Sequence, residues 1–378
     1  MARTLARAHR LRGEIKVPPD KSISHRAAIL GALATGESLF QNFLTGADCL
    51  STISCLRALG VAISLNDQGE LRVTGRGAEA LREPRDVLDC GNSGTTMRLL
   101  SGVLAARSFR SVLTGDDSLR SRPMRRIADP LNQMGADIET TSAGTAPLTI
   151  AGGALQPIAY ESPVASAQVK SAILLAGVQT DGDTTVTEPY RSRDHTERML
   201  SAMGAGLTVR GATVTVSHAP TLAPLAMRIP GDMSSAAAWI TVAVCHPDAE
   251  LLLTGVGVNP TRTGLVEILR RMGADIELLE ERVQAGEPVA DLRVSSSRLT
   301  AASVTARMVP SALDELPLVA LAATQAAGRT VVSGAAELMV KESDRAAETA
   351  AILRQMGADI ESTSDGWVIQ GPTRLQGT

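Results

Sequence analysis

Five times along the chain an apolar helix tail ends in the pattern L-x-x-M/L-G, and a strand-like stretch follows. The copies fall at 56–63, 131–138, 200–207, 269–276 and 353–360. Their glycines, Gly60, Gly135, Gly204, Gly273 and Gly357, are spaced 75, 69, 69 and 84 residues apart. Gly ends a helix because it enters the left-handed region without a β-carbon clash. Ala-Asp-Ile-Glu then follows Gly135, Gly273 and Gly357, alternating apolar and polar as a half-buried strand does. Leu71-Arg72-Val73 and Leu148-Thr149-Ile150 are further strand signals. Each copy therefore reads as an α+β module. Its period exceeds the roughly 20–50 residues of solenoids, which favours a few large pseudo-symmetric lobes over a rod. Five is an awkward number for two equal lobes.

Composition narrows what such modules can be. The chain has 378 residues, 44% apolar, 20% charged and only 2% aromatic. Its core must come from Ala, Leu, Val, Ile and Met. The net charge of -3 gives no global field for nucleic acid or membrane surfaces, so any anion site has to be a local basic cluster. Cys49, Cys55, Cys90 and Cys245 form no C-x-x-C pair and read as buried apolar residues in a reducing compartment. No apolar run reaches the ~18 residues of a membrane span. Arg3, Arg7, Arg10 and Arg12 run directly into strand-like Glu14-Ile15-Lys16-Val17, which reads as an exposed first strand rather than a transit peptide.

Several segments can carry chemistry, and each has a plain alternative. Pro18-Pro19-Asp20-Lys21-Ser22-Ile23-Ser24-His25-Arg26 opens an apolar helix. Asp20, Ser22 and Ser24 are possible caps, and Lys21, Ser22 and Arg26 gather at a helix N-terminus, a natural anion cradle. A capped surface helix is the competing reading. Asp89-Cys90-Gly91-Asn92-Ser93-Gly94-Thr95-Thr96-Met97-Arg98 is a Gly-rich helix entry, without the Walker spacing. Arg120, Arg122, Arg125 and Arg126 lie within seven residues, and Pro123 holds Arg122 extended. A guanidinium fork suits phosphate or carboxylate, although a solvated basic loop would look the same. Ala165-Ser166-Ala167-Gln168 starts another helix, as does Ser192-Arg193-Asp194-His195. A cation such as Arg193 at a helix start is unfavourable without an anion. His195 reads as structural. Asp314-Glu315-Leu316-Pro317 and Glu337-Leu338-Met339-Val340-Lys341-Glu342-Ser343-Asp344-Arg345 bring carboxylates and cations into apolar surroundings, where carboxylates become acids or bases. Surface ion pairs are the alternative.

Taken in order, these segments resemble the signature segments of the shikimate-pathway enolpyruvyl transferases, the EPSP synthases, from about residue 12 to the C-terminus. The resemblance implies an α/β fold of two lobes, inverse α/β barrel-like, built from repeated α/β units, with five of the usual six present. The lobes would be 19–226, with three units, and 1–18 plus 227–378, with two. It implies transfer of the enolpyruvyl group of phosphoenolpyruvate to the 5-hydroxyl of shikimate 3-phosphate, with release of phosphate, no metal or organic cofactor, and no nucleic-acid or membrane partner. A cytoplasmic monomer would be expected. Lys21 would touch both substrates. Ser22, Arg26, Ser166, Ala167, Gln168, Arg193, Asp314, Glu337 and Lys341 would hold shikimate 3-phosphate. Gly94, Arg122, Gln168 and Arg345 would hold phosphoenolpyruvate. Asp314, Glu342 and Lys21 would be catalytic.

The family pattern continues with a sixth unit carrying Asp-His-Arg and a later lysine. Neither follows Arg345, so the resemblance implies a chain one unit short, with an apolar face exposed and binding weakened. That leaves a non-catalytic shikimate-3-phosphate binder as the alternative function. The sister transferases acting on UDP-N-acetylglucosamine carry a reactive cysteine in a loop, and the comparable loop 115–123 has none.

Overall fold

The computed structural model describes residues 8–340 and 343–377. All five repeat glycines take left-handed backbone, with φ of 89°, 100°, 88°, 93° and 93° in chain order. Each closes a helix: Ala47–Ala58, Arg125–Gln133, His195–Ala202, Gly264–Arg271 and Arg345–Gln355. Each precedes a strand: Ala62–Leu65, Asp137–Glu139, Leu207–Arg210, Asp275–Gln284 and Asp359–Thr363. In four modules the residue three before the glycine ties the turn. Arg57, Asn132, Arg270 and Arg354 donate to the carbonyls of Ile63, Ile138, Ile276 and Ile360 at 2.9, 3.1, 2.7 and 2.8 Å.

The described residues form five four-stranded sheets of one topology. In the second module Leu88–Asp89 runs parallel to Arg110–Thr114, which is antiparallel to Leu148–Ala151, which pairs Asp137–Glu139. The same order recurs with Ala159–Glu161 and with Ser303–Val304 as entering strands. Parallel neighbours cannot be joined by a hairpin, so a crossover helix follows each entering strand. Two modules exchange entering strands. Leu11–Lys16 pairs Ala249–Gly257, Leu11 facing Ala249, while Ala226–Arg228 pairs Thr35–Gln41, Ala226 facing Leu39.

The exchange explains why two compact bodies are not contiguous in sequence. One body takes Pro19–Ile229 with Gln284–Glu287, and the other takes Met1–Pro18, Pro230–Val283 and Pro288–Thr378. Each has its own apolar core. In the first body the crossover helices are Lys21–Leu33, Gly94–Leu104 and Ala167–Gly177. Helix Lys21–Leu33 is buried from Ile23 onward. Small residues allow the close packing that few aromatics would require: a β-carbon on Gly102 would meet the Ala172 carbonyl oxygen at 2.2 Å. The second body holds both tryptophans. Trp367 is fully buried and its indole donates to the Ala346 carbonyl at 2.9 Å. Trp239 and Val242 stand exposed on the apolar helix Met233–Cys245. No helix among the described residues is long and apolar enough to cross a membrane.

Candidate active site

In the first body, helix starts carry most of the candidate residues. Asp20 caps Lys21–Leu33, its carboxylate accepting from the Ile23 amide at 2.8 Å. Of the three candidate caps there, Asp20 takes the position, and Ser24 Oγ turns back to the Asp20 carbonyl at 2.8 Å. Ser93 caps the helix that begins at Gly94, accepting from Thr96 at 3.1 Å, and Ser166 caps the helix that begins at Ala167. Donors and dipole at these ends favour anions. Lys21 is exposed, with Nζ 3.2 Å from Asp48 Oδ2.

Arg26 is buried and knits helices together. It donates to Thr196 Oγ1 at 2.7 Å, Ser171 Oγ at 2.8 Å and the Ser22 carbonyl at 3.0 Å. Burial lowers its pKa to about 10, against the opposing pull of Glu197 and Asp20, so the guanidinium stays charged near neutrality. Arg193 is half-buried, close enough to contribute to that lowering. The carboxyl of Glu188 accepts from Ser166 and from Ser192, the residues flanking this part of the site.

Gly94, Arg122 and Gln168 come together, along with Arg98. Arg98 Nη1 donates to Gln168 Oε1 at 2.5 Å, and Gln168 Nε2 donates to Thr95 Oγ1 at 2.9 Å. Arg122 donates to Asn92 Oδ1, and Asn92 Nδ2 in turn to Asp116 Oδ2 at 2.6 Å. The Leu119 amide first, and Asn92 next, hold the Asp116 carboxyl below its ordinary range. A β-carbon on Gly94 would lie 3.2 Å from Arg98 Nη1 and 3.4 Å from Arg122 Nη1. Arg98 stands in the Gly-rich segment, one turn after Gly94, and that spacing is the signal that could have placed it in the site. His195 is buried with Nδ1 2.7 Å from Glu287 Oε1, a structural pairing.

In the second body Asp314 sits in the short turn Leu313–Glu315 leading into helix Leu316–Ala323. Its Oδ1 lies 3.2 Å from Arg345 Nη1 and its Oδ2 4.0 Å from Arg262 Nη1. Arg262 is buried and reaches Ser234 Oγ at 2.6 Å, Asp232 Oδ1 at 3.2 Å and Glu315 Oε1 at 3.6 Å. Ser234 Oγ donates to Glu315 Oε1 at 2.5 Å. Sequence reasoning missed Arg262 and Asp232. The repeat carried a clue: Asp232 caps the 13-residue helix Met233–Cys245 as Asp20 caps the 13-residue Lys21–Leu33. Glu337 is half-buried in the turn Ala336–Val340. Lys341 and Glu342 lie outside the described residues, as do Arg3 and Arg7. Among the described residues no group of three or more His, Cys, Asp and Glu could hold a metal ion, and all four cysteines are free thiols.

The family profile of EPSP synthase (3-phosphoshikimate 1-carboxyvinyltransferase) matches residues 5–378. A protein of Pelotomaculum thermopropionicum named 3-phosphoshikimate 1-carboxyvinyltransferase is 55% identical over 97% of this chain and 85% of its own length. One of the same name from Desulforudis audaxviator is 55% identical over 98% and 86%. A solved EPSP synthase of Acinetobacter baumannii superposes with a TM-score of 0.87 at 47% identity, covering 96% of this chain and 82% of that one. The transferase name shared by these relatives stands against the binding-only alternative. Sheets, helix entries and relatives agree, and the chain belongs to the EPSP synthase family.

Proposed function

We propose that this chain transfers the enolpyruvyl group of phosphoenolpyruvate to the 5-hydroxyl of shikimate 3-phosphate and releases phosphate. The observation that carries this reading is the cluster at Gly94, where two guanidiniums and the Gln168 amide meet at a helix start. Paired arginines on a helix N-terminus suit an anion bearing both carboxylate and phosphate. Gly94, Arg122, Gln168, Lys21 and Arg345 hold phosphoenolpyruvate. Ser22, Ser166, Ala167, Gln168, Arg193 and Lys21 hold shikimate 3-phosphate, with Arg26 fixing the helices behind them. Glu337 and Lys341 bind the ring side of the same substrate.

The 5-hydroxyl oxygen attacks C2 of phosphoenolpyruvate while C3 takes a proton. The tetrahedral intermediate then loses phosphate and a C3 proton to give the enol ether. Asp314 accepts the hydroxyl proton, supported by its place beside Arg345. Glu342 with Lys341 moves the proton at C3, and Lys21 stabilises the charge that develops on the leaving phosphate. The protein works in the cytoplasm, a reading supported by three buried free thiols, and as a monomer.

Phosphate release from the two substrates tests the proposal, with Asp314→Ala as the control. Release that disappears in Asp314→Ala supports it. Heat of shikimate 3-phosphate binding without any phosphate release would leave a binding protein instead.

A further inference from the structure

Behind the helix starts of the first body lies a buried charge cluster that the reaction chemistry does not use. Lys170 is 1% exposed, and its Nζ lies 2.9 Å from Glu188 Oε2 and 2.8 Å from Glu197 Oε1. Burial alone would depress the ammonium, yet Glu197 and Glu188 more than offset it and raise its pKa. Glu188 is 4% exposed. Its Oε1 accepts from the Ser166 amide at 2.9 Å, and its Oε2 from the Ser192 amide at 3.2 Å and the Ser192 hydroxyl at 2.8 Å. One carboxylate therefore spans two chain segments. The first opens the helix bearing Ala167 and Gln168, and the second leads into Arg193. At the far end of the cluster, Thr196 beside Glu197 bonds both Ser171 and Arg26.

A buried ion pair is a poor means of stabilising a fold, because apolar packing of similar volume does as well or better. Its advantage is geometric. A carboxylate fixed by a buried ammonium offers two acceptors at set positions, and here each acceptor holds a different segment of the shikimate 3-phosphate site.

We propose that Glu188, oriented by its ion pair with Lys170, is a positioning residue for shikimate 3-phosphate that sets the spacing between Ser166-Ala167-Gln168 and Arg193. This inference rests on the proposed function. Glu188 does not touch the substrate. It acts through the two segments it joins, so its loss falls mainly on shikimate 3-phosphate and reaches the Gly94 cluster only through Gln168.

The test is calorimetric binding of shikimate 3-phosphate together with both Michaelis constants, in wild type, Glu188→Gln, Ser192→Ala and Arg193→Ala, with thermal unfolding followed in each. Glu188→Gln keeps the shape but replaces one acceptor oxygen by a donor. Shikimate 3-phosphate should bind about ten- to a hundredfold more weakly, as expected for losing bonds to a charged group. The Michaelis constant for phosphoenolpyruvate should rise clearly less, because Gln168 alone among its ligands lies on a segment that Glu188 joins. Ser192→Ala removes one bond to Glu188 without stranding a charge and should weaken the same substrate several-fold. Unchanged affinity in Ser192→Ala would overturn the proposal whether or not Glu188→Gln folds. So would equal losses for both substrates. Arg193→Ala separates the levels. If it loses shikimate 3-phosphate while the Glu188 variant binds normally, the positioning role fails and the functional reading stands. If Arg193→Ala binds normally, the functional reading itself fails.

Discussion

Gly94 shows how a single missing atom shapes a pocket. A β-carbon there must push aside Arg98 or Arg122, whose guanidinium ends are 3.2 and 3.4 Å from its position. Gly94→Ala should raise the Michaelis constant for phosphoenolpyruvate by roughly tenfold, the scale of a mild overpacking. The constant for shikimate 3-phosphate should move little, and steady-state rates check both. Glyphosate, a phosphoenolpyruvate mimic, should inhibit the wild type and do so less in this variant. Activity of the wild type untouched by millimolar glyphosate would refute that. His25 gives a prediction of another kind. It is fully buried with Nδ1 2.7 Å from Thr52 Oγ1, and burial first, then Lys21 and Arg26, lowers its pKa from 6.5 to about 3. The unfolded chain thus binds one more proton than the folded chain between those values. Stability from this residue is full above 6.5 and is lost as pH falls toward 3. His25→Gln should flatten that part of the acid limb, as read by urea midpoints across the weakly acidic range. Gly94 and Arg122 are legible in sequence because each stands beside local punctuation, a Gly-rich turn and a proline. Arg262 is not, because its partners Asp232, Ser234, Asp314 and Glu315 are distant in sequence and only folding gathers them.

At the level of elements, the helix-glycine-strand turn is the unit of construction. Gly204 isolates its cost, since a β-carbon there meets nothing within 4 Å while φ is +88°. Gly204→Ala should lose about 1–2 kcal/mol from backbone strain alone, and Gly204→Asn less. Arg354→Ala, which removes the donor to the Ile360 carbonyl, should cost about 1 kcal/mol. Denaturant midpoints would measure both. The turn is legible five times over because Gly, the apolar tail and the alternating strand are all local. The tie from Arg57, Asn132, Arg270 and Arg354 is harder to see, because an exposed arginine on a helix has an ordinary explanation as a solvated charge. The exchange of entering strands is not written in any local pattern. Leu11–Lys16 could pair with any strand of matching length, and the partner at Ala249–Gly257 is selected by tertiary packing. Glu188 escaped notice for the same reason, since its value lies in joining Ser166 to Ser192.

For the molecule as a whole, two cores mean two separable stabilities. Arg262 belongs to one of them, where it neutralises Asp232 and Glu315. Arg262→Ala strands those carboxylates and should destabilise that body by about 3–5 kcal/mol. The partition of chromophores makes the body-specific part of this visible. Trp239 and Trp367 both belong to the body built on Pro230–Val283 and Pro288–Thr378, while Tyr160 and Tyr190, the chain's two tyrosines, both belong to Pro19–Ile229. Red-edge excitation of indole therefore interrogates one body, and the phenol bands resolved in the second-derivative absorbance spectrum interrogate the other. Arg262→Ala should bring the indole-reported transition to lower denaturant and leave the phenol-reported one near its wild-type position. Each half of the protein carries its own intrinsic optical label, so the order in which the halves melt can be read from unmodified protein.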